Sequence, residues 1–144
     1  MTSAITAAKA GAANSWKIAT YNINWGDVNL ALVAATIREA DADVVCLQET
    51  TMRSEPYLRQ EFAKVYRHMR FFGHKGQYGA ERCGILSRMP VSKATFLPPK
   101  HGAFGACIAD LKIGGRQVQV INVHLEPMRL RAGGSVLDAW TAMG

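Results

Sequence analysis

Three consecutive segments restrict the folds open to this chain more than any other feature. "KIATYNI" (17–23) is rich in β-branched and aromatic residues and reads as a strand. "VNLALVAATIREA" (28–40) carries Leu30, Val33, Ile37 and Ala40 at helical spacing, with Asp27 or Asn29 available as its cap. "DVVCLQE" (43–49) contains an unbroken apolar run from Val44 to Leu47, as a strand buried on both faces would. Strand, helix and strand in such close succession form a crossover unit. The two strands should therefore lie parallel in one sheet with the helix packed against it, which is α/β organisation.

The pattern continues with a second helix and then changes. Ser54 is placed to cap a helix through "EPYLRQEFAKV", with Leu58, Phe62 and Val65 on one face and Pro56 tolerated in the first turn. Short strands follow in "YRHMRFF", "RCGILS" and "SKATFL". Two more, "FGACIADLKI" and "RQVQVINV", are joined by Gly114-Gly115, and paired glycines suit a type I′ hairpin because both positions need positive φ. After a further break at Gly133-Gly134, Ser135 and Asp138 resemble a capping box opening a short helix, "VLDAWTAM". The chain thus reads as one domain with an antiparallel portion. Residues 1–15 are expected to form a disordered leader and residues 16–144 the domain.

Composition limits the function classes. With 49% hydrophobic and 19% charged residues the 144-residue chain is globular in character and long enough for one real core. Its apolar runs fall well short of the roughly 18–20 residues that a membrane span requires. Cys46, Cys83 and Cys107 are an odd count, each inside an apolar stretch, and read as buried reduced thiols of a cytoplasmic protein. The net charge of +6 suits an anionic partner, phosphate esters or nucleic acid, or else a solvated basic surface. The tract "YRHMRFFGHK" mixes aromatics with cations as nucleic-acid surfaces do, and a strand with outward-pointing charges explains it equally well.

Three strands end in polar residues: the first at Asn22 and Asn24, the second at Gln48 and Glu49, the last at His124 in "VINVHLEP". In α/β sheets, ligands bind outside the carboxyl ends of strands. A lone carboxylate is a common holder of Mg²⁺, which keeps waters and shares its shell with substrate phosphate. Asn can orient a phosphate oxygen or a water, and His near neutrality can donate to a phosphoryl oxygen. Taken singly, each has an ordinary structural use: a wet strand end, an Asn bonded to its own turn, a satisfied histidine.

Taken together, "IATYNIN", "ADVVCLQET", "GILSRMPV" and "VQVINVHLEP" resemble the endonuclease/exonuclease/phosphatase superfamily, in that family's order and over about residues 17–127. "LQET" and "NVHLEP" are the specific motifs. The resemblance implies a two-sheet α/β sandwich of the deoxyribonuclease type and cleavage of phosphate esters with Mg²⁺ or Mn²⁺. It assigns Glu49 to the metal, Asn22 to the metal, its water and the phosphate, and His124 to the scissile phosphate. Arg88, in "SRMP", is read as structural. Asn24 stands where some nucleases of the family have an aspartate.

The family's "GDxN" and "SDH" motifs, which would supply a water-activating Asp and an Asp–His pair, do not follow "NVHLEP" in these residues; the string Gly26-Asp27-Val28-Asn29 stands before the first helix, out of the family's order. "LDAW" (137–140) resembles a helix that in many members follows the GDxN strand. The resemblance therefore implies the N-terminal half of the fold with an incomplete second sheet. An exposed apolar face, self-association and little activity for this chain alone are the expected consequences. The alternative expectation is a non-catalytic remnant serving as a binding or structural module.

Overall fold

The computed structural model describes residues 15–27, 29–73, 81–100 and 104–125. Strands β1 (Ile18–Asn22) and β2 (Val44–Thr50) run parallel, joined by helix α1 (Leu30–Ala40), as the crossover pattern requires. Asn29 is the helix cap, its side chain accepting from Leu32 N at 3.0 Å. Helix α2 (Ser54–Phe62) leads to β3 (His68–Phe72) and β4 (Arg82–Ser87), and the first sheet has the order β1-β2-β4-β3. Strands β5 (Val91–Leu97), β6 (Ala106–Ile113) and β7 (Arg116–Val123) form the second sheet in that order. Gly114 (φ 54°) and Gly115 (φ 79°) make the two-residue turn between β6 and β7, where a side chain would be strained.

Because side chains alternate along a strand, β2 serves two cores at once. Val45 and Leu47 pack with Val33, Ala34 and Ile37 of α1 and with Leu58 and Phe62 of α2. Val44 and Cys46 face the opposite way, onto Cys107, Ala109, Leu111 and Val120 of the second sheet. Sheet two contacts sheet one through β5 on β3, β6 on β4 and β7 on β2. Strand β1 stands at the edge of the first sheet, and a groove of about 440 Å³ opens between β1 and β7, lined by Trp16, Ile18, Thr20 and Val120 among others. Among the described residues the second sheet is one strand narrower than the first, and Ile121 (55%) and Val123 (49%) lie exposed on β7.

Two expectations need correction. Ser54 lies in the first turn of α2, and the capping belongs to Thr51, whose Oγ1 accepts from Arg53 N and Ser54 N while Ser54 Oγ accepts from Thr51 N. The helix stops at Phe62, so Val65 is exposed and Tyr66 takes the buried place, its hydroxyl donating to Ala42 O at 2.9 Å. The cysteines are not three free thiols. Cys83 of β4 and Cys107 of β6 form a disulfide between the two sheets, with Cα atoms 6.5 Å apart, and Cys46 alone is free and buried. No spacing rule reveals this pair, because it depends on which strands face each other across the sandwich. The short helix expected around "LDAW" lies outside the described residues, as do residues 1–14 of the expected leader.

Candidate functional site

The side chains turned into the space between the sheets form rows of period two. On β1 the row is Ile18, Thr20, Asn22; on β2 it is Val44, Cys46, Gln48; on β7 it is Val118, Val120, Asn122 and, just past the strand, His124. Each row begins apolar inside the sandwich and turns polar at its carboxyl end. An imidazole closes a buried-looking strand because it stands on the same face as Val118 and Val120, where that face runs out of core.

Glu49 reaches the same place by a backbone irregularity. By alternation it would point toward the helices, beside Leu47. A bulge between Gln48 and Thr50 and a left-handed backbone (φ 59°) re-aim it toward the strand end. Its Oε1 accepts from Asn22 Nδ2 at 2.7 Å and its Oε2 from Trp25 N at 3.0 Å. Trp25 opens a short 3-10 turn, Trp25–Asp27, that follows β1. Asn24, also left-handed (φ 57°), donates its backbone N–H to Asn22 Oδ1 at 3.0 Å, so the Asn22 amide group faces Glu49 and its oxygen is held by the turn.

His124 completes the group. Its Nε2 lies 3.4 Å from Asn22 Nδ2 and 3.4 Å from Glu49 Oε1, with the His124 and Glu49 side chains only 13% and 17% exposed. Burial, opposed by the nearby Glu49 charge, holds the imidazole below its ordinary 6.5. In the neutral form with the proton on Nδ1, Nε2 accepts from Asn22; once protonated, Nε2 donates to Glu49. The ring of Phe104 covers His124, with centroids 3.8 Å apart and planes inclined by 33°.

Asn22, Glu49 and His124, singled out as strand ends, are therefore in mutual contact. The sequence reading missed Phe104, the Trp25 N–H and the inward side chain of Asn122. Asn122 was visible only as the inner-face residue two before His124. Arg88 stands at the other end of β2, where it pairs with Asp41 at 2.5 Å and Asp43 at 3.5 Å beneath the Tyr66 ring. The guanidinium holds the Asp41 carboxyl below its ordinary value, and this bracket ties β4 to the start of β2. Among the described residues no group of three or more His, Cys, Asp or Glu side chains is gathered as a metal cage.

A two-sheet α/β sandwich carrying an amide, a carboxylate and an imidazole at adjacent strand ends defines the class. The sequence pattern of the endonuclease/exonuclease/phosphatase family matches residues 19–139, and the chain belongs to that family. Solved structures with the same fold include a truncated TDP2 from Caenorhabditis elegans, 25% identical, TM-score 0.64, covering 78% of this chain and 47% of the other. The D. rerio TDP2 solved with a single-strand DNA product is 24% identical, TM-score 0.60, covering 76% and 46%. ANGEL2, a 2′,3′-cyclic phosphatase solved with adenosine-2′,3′-vanadate, is 19% identical, TM-score 0.56, covering 65% and 31%. The chain thus spans less than half the length of these three structures. No curated protein sequence matches it. Members of the family are hydrolases of phosphoesters.

Proposed function

We propose that this chain carries the metal- and phosphate-facing part of a Mg²⁺- or Mn²⁺-dependent phosphoesterase site. The observation that carries the reading is the convergence of Asn22, Glu49 and His124 from three strands, with Glu49 Oε1 within 3.4 Å of both partners. The donor set fits a hard cation. Glu49 is a single carboxylate whose oxygens each accept one N–H and keep a further lone pair, and Mg²⁺ is commonly held by one or two carboxylates plus water and phosphate. When bound, such an ion would supply positive charge to the phosphoryl oxygens.

The residues themselves have separate tasks. Glu49 holds the ion, fixed in place by Asn22 and by the Trp25 N–H. Asn22 orients Glu49 and presents its amide to water and phosphate; its oxygen accepts from the Asn24 N–H and keeps a second lone pair for the ion. His124, kept neutral by burial under Phe104, hydrogen-bonds the scissile phosphate and takes up charge as it develops. Phosphate esters, nucleic acid among them, are the proposed substrates. The net charge of +6 supports an anionic ligand.

A second reading is favoured by one specific observation: neither GDxN nor SDH follows "NVHLEP" in these 144 residues. On that reading the stretch binds phosphate or metal without hydrolysing, because the missing groups act as a unit with those present. Calorimetric Mn²⁺ titration and hydrolysis of an aryl phosphodiester with and without Mg²⁺ separate the two. Saturable Mn²⁺ binding that Glu49→Gln abolishes supports the site. Mg²⁺-dependent turnover selects the hydrolase reading, and binding without turnover the second. Mn²⁺ binding unaltered in Glu49→Gln would sink the assignment.

A further inference from the structure

The three site residues belong to two different sheets: Asn22 and Glu49 follow β1 and β2, while His124 follows β7. The Cys83–Cys107 bond ties β4 to β6 but makes no covalent link to β7, and the rest of what holds β7 on the first sheet near the site is mostly apolar packing, which is non-directional and tolerates sliding. A slip of β7 by one residue would turn Val123 inward and His124 out. One polar side chain opposes this.

Asn122 is 3% exposed, and its Nδ2 donates to Leu47 O at 2.9 Å and to Gly84 O at 3.1 Å. Leu47 and Gly84 face each other in the β2–β4 ladder, so a single amide from the second sheet bridges a facing pair in the first. Its Oδ1 accepts from Gln48 Nε2, which also donates to Thr20 Oγ1 at 3.0 Å. One side-chain network therefore joins β1, β2, β4 and β7. Its members stand one or two residues before the site residues: Thr20 two before Asn22, Gln48 one before Glu49, Asn122 two before His124. Every hydrogen-bonding group of the Asn122 amide is used, which fixes its orientation as apolar contact cannot.

We propose that Asn122 is a positioning residue that sets His124 against Glu49 and Asn22 by pinning the end of β7 to β2 and β4. The proposal rests on reading those three residues as one site. It is tested first without metal, by nuclear magnetic resonance on the 144-residue chain. The native protein should show cross-relaxation from the His124 ring to the Phe104 ring and to the Asn22 side-chain amide. Asn122→Ala should weaken both contacts severalfold while the Phe62–Tyr66 ring contact and the β1–β2 amide pattern persist. Should Asn122→Ala fail to fold, Asn122→Leu puts the same question, because it fills a similar space and removes both donations to the backbone carbonyls. His124 contacts unchanged in whichever variant folds would overturn the proposal, as would their loss together with the Phe62–Tyr66 contact in both variants.

Added Mn²⁺ provides the readout that a merely structural role would not move. It should broaden Glu49 and Asn22 signals in both proteins, but the His124 ring far more in the native chain than in the variant. Equal broadening of the ring in both would overturn the positioning role. Absence of broadening at Glu49 in the native chain would overturn the metal-site reading instead, and the metal-free contacts would still decide for or against the role of Asn122.

Discussion

Glu49 occupies a backbone conformation that a glutamate does not choose, and the cost can be isolated by comparing Glu49→Gly with Glu49→Ala. Both variants lose the same two hydrogen bonds, from Asn22 Nδ2 and from Trp25 N, so that loss cancels in the comparison. What remains is the backbone at φ 59°. Any residue with a Cβ pays about 1–2 kcal/mol in the left-handed region. In an ordinary strand the order is reversed, since glycine is worse than alanine by about 0.5–1 kcal/mol. The sign of the difference therefore reports the backbone directly. We expect the glycine variant to be the more stable by about 1 kcal/mol, or roughly 3–4 °C in midpoint for a chain of this size. Paired thermal and urea melts measure it. An alanine variant as stable as the glycine one would refute the strained bulge and with it the account of how Glu49 is aimed. Neither variant should bind Mn²⁺, which would make the strain a cost carried for the site.

Two other outcomes follow from the structure. The Cys83–Cys107 bond closes a loop with a sequence separation of 24, worth about 3.5 kcal/mol by the chain-entropy relation, so reduction should lower the urea midpoint by roughly 2 M at a slope near 2 kcal/mol/M. A thiol count on the same protein should find none reactive in the native state, where burial pushes Cys46 up to about 12, and one after denaturation without reductant; three would refute the bond. Because burial holds folded His124 below 6.5, with the facing Glu49 opposing and Asn22 and Phe104 neutral, the unfolded chain takes up that proton first as pH falls. The contribution of His124 to stability should be fully present above about 6.5 and lost on acidification below it, and His124→Asn should remove that part of the pH dependence.

How far the sequence could be read depended on how local each signal was. The β1–α1–β2 unit and the β6–β7 hairpin were legible because they rest on period, apolar runs and a glycine pair within a few residues of one another. The end of α2 was misread because Val65 continues the helical spacing on paper, while Tyr66 has a better use, filling the core and donating to Ala42 O. The disulfide was invisible since its partners meet only after two sheets stack. The three residues of the proposed site were visible one by one as polar strand ends, and the structure brings them into contact although Asn22 and His124 are 102 positions apart. Phe104 was not, since it precedes β6 and no local pattern relates it to His124.

The rows between the sheets give a reason why this site lies where it does. Ile18, Val44, Val118 and Val120 fill the interior of the sandwich, and Thr20, Gln48 and Asn122 come next in their rows, joined to one another by hydrogen bonds. Buried amides are affordable only when fully paired, and here pairing them cross-links the sheets at the last layer before solvent. Beyond that layer stand Asn22, His124 and the re-aimed Glu49, half-shielded and resting on a base that cannot slide. Substitution of these outermost groups should change the chemistry of the chain with little effect on its fold. Substitution one layer in, at Gln48 or Asn122, should leave the chemical groups present and their alignment lost, so it is there that site geometry and fold stability are coupled.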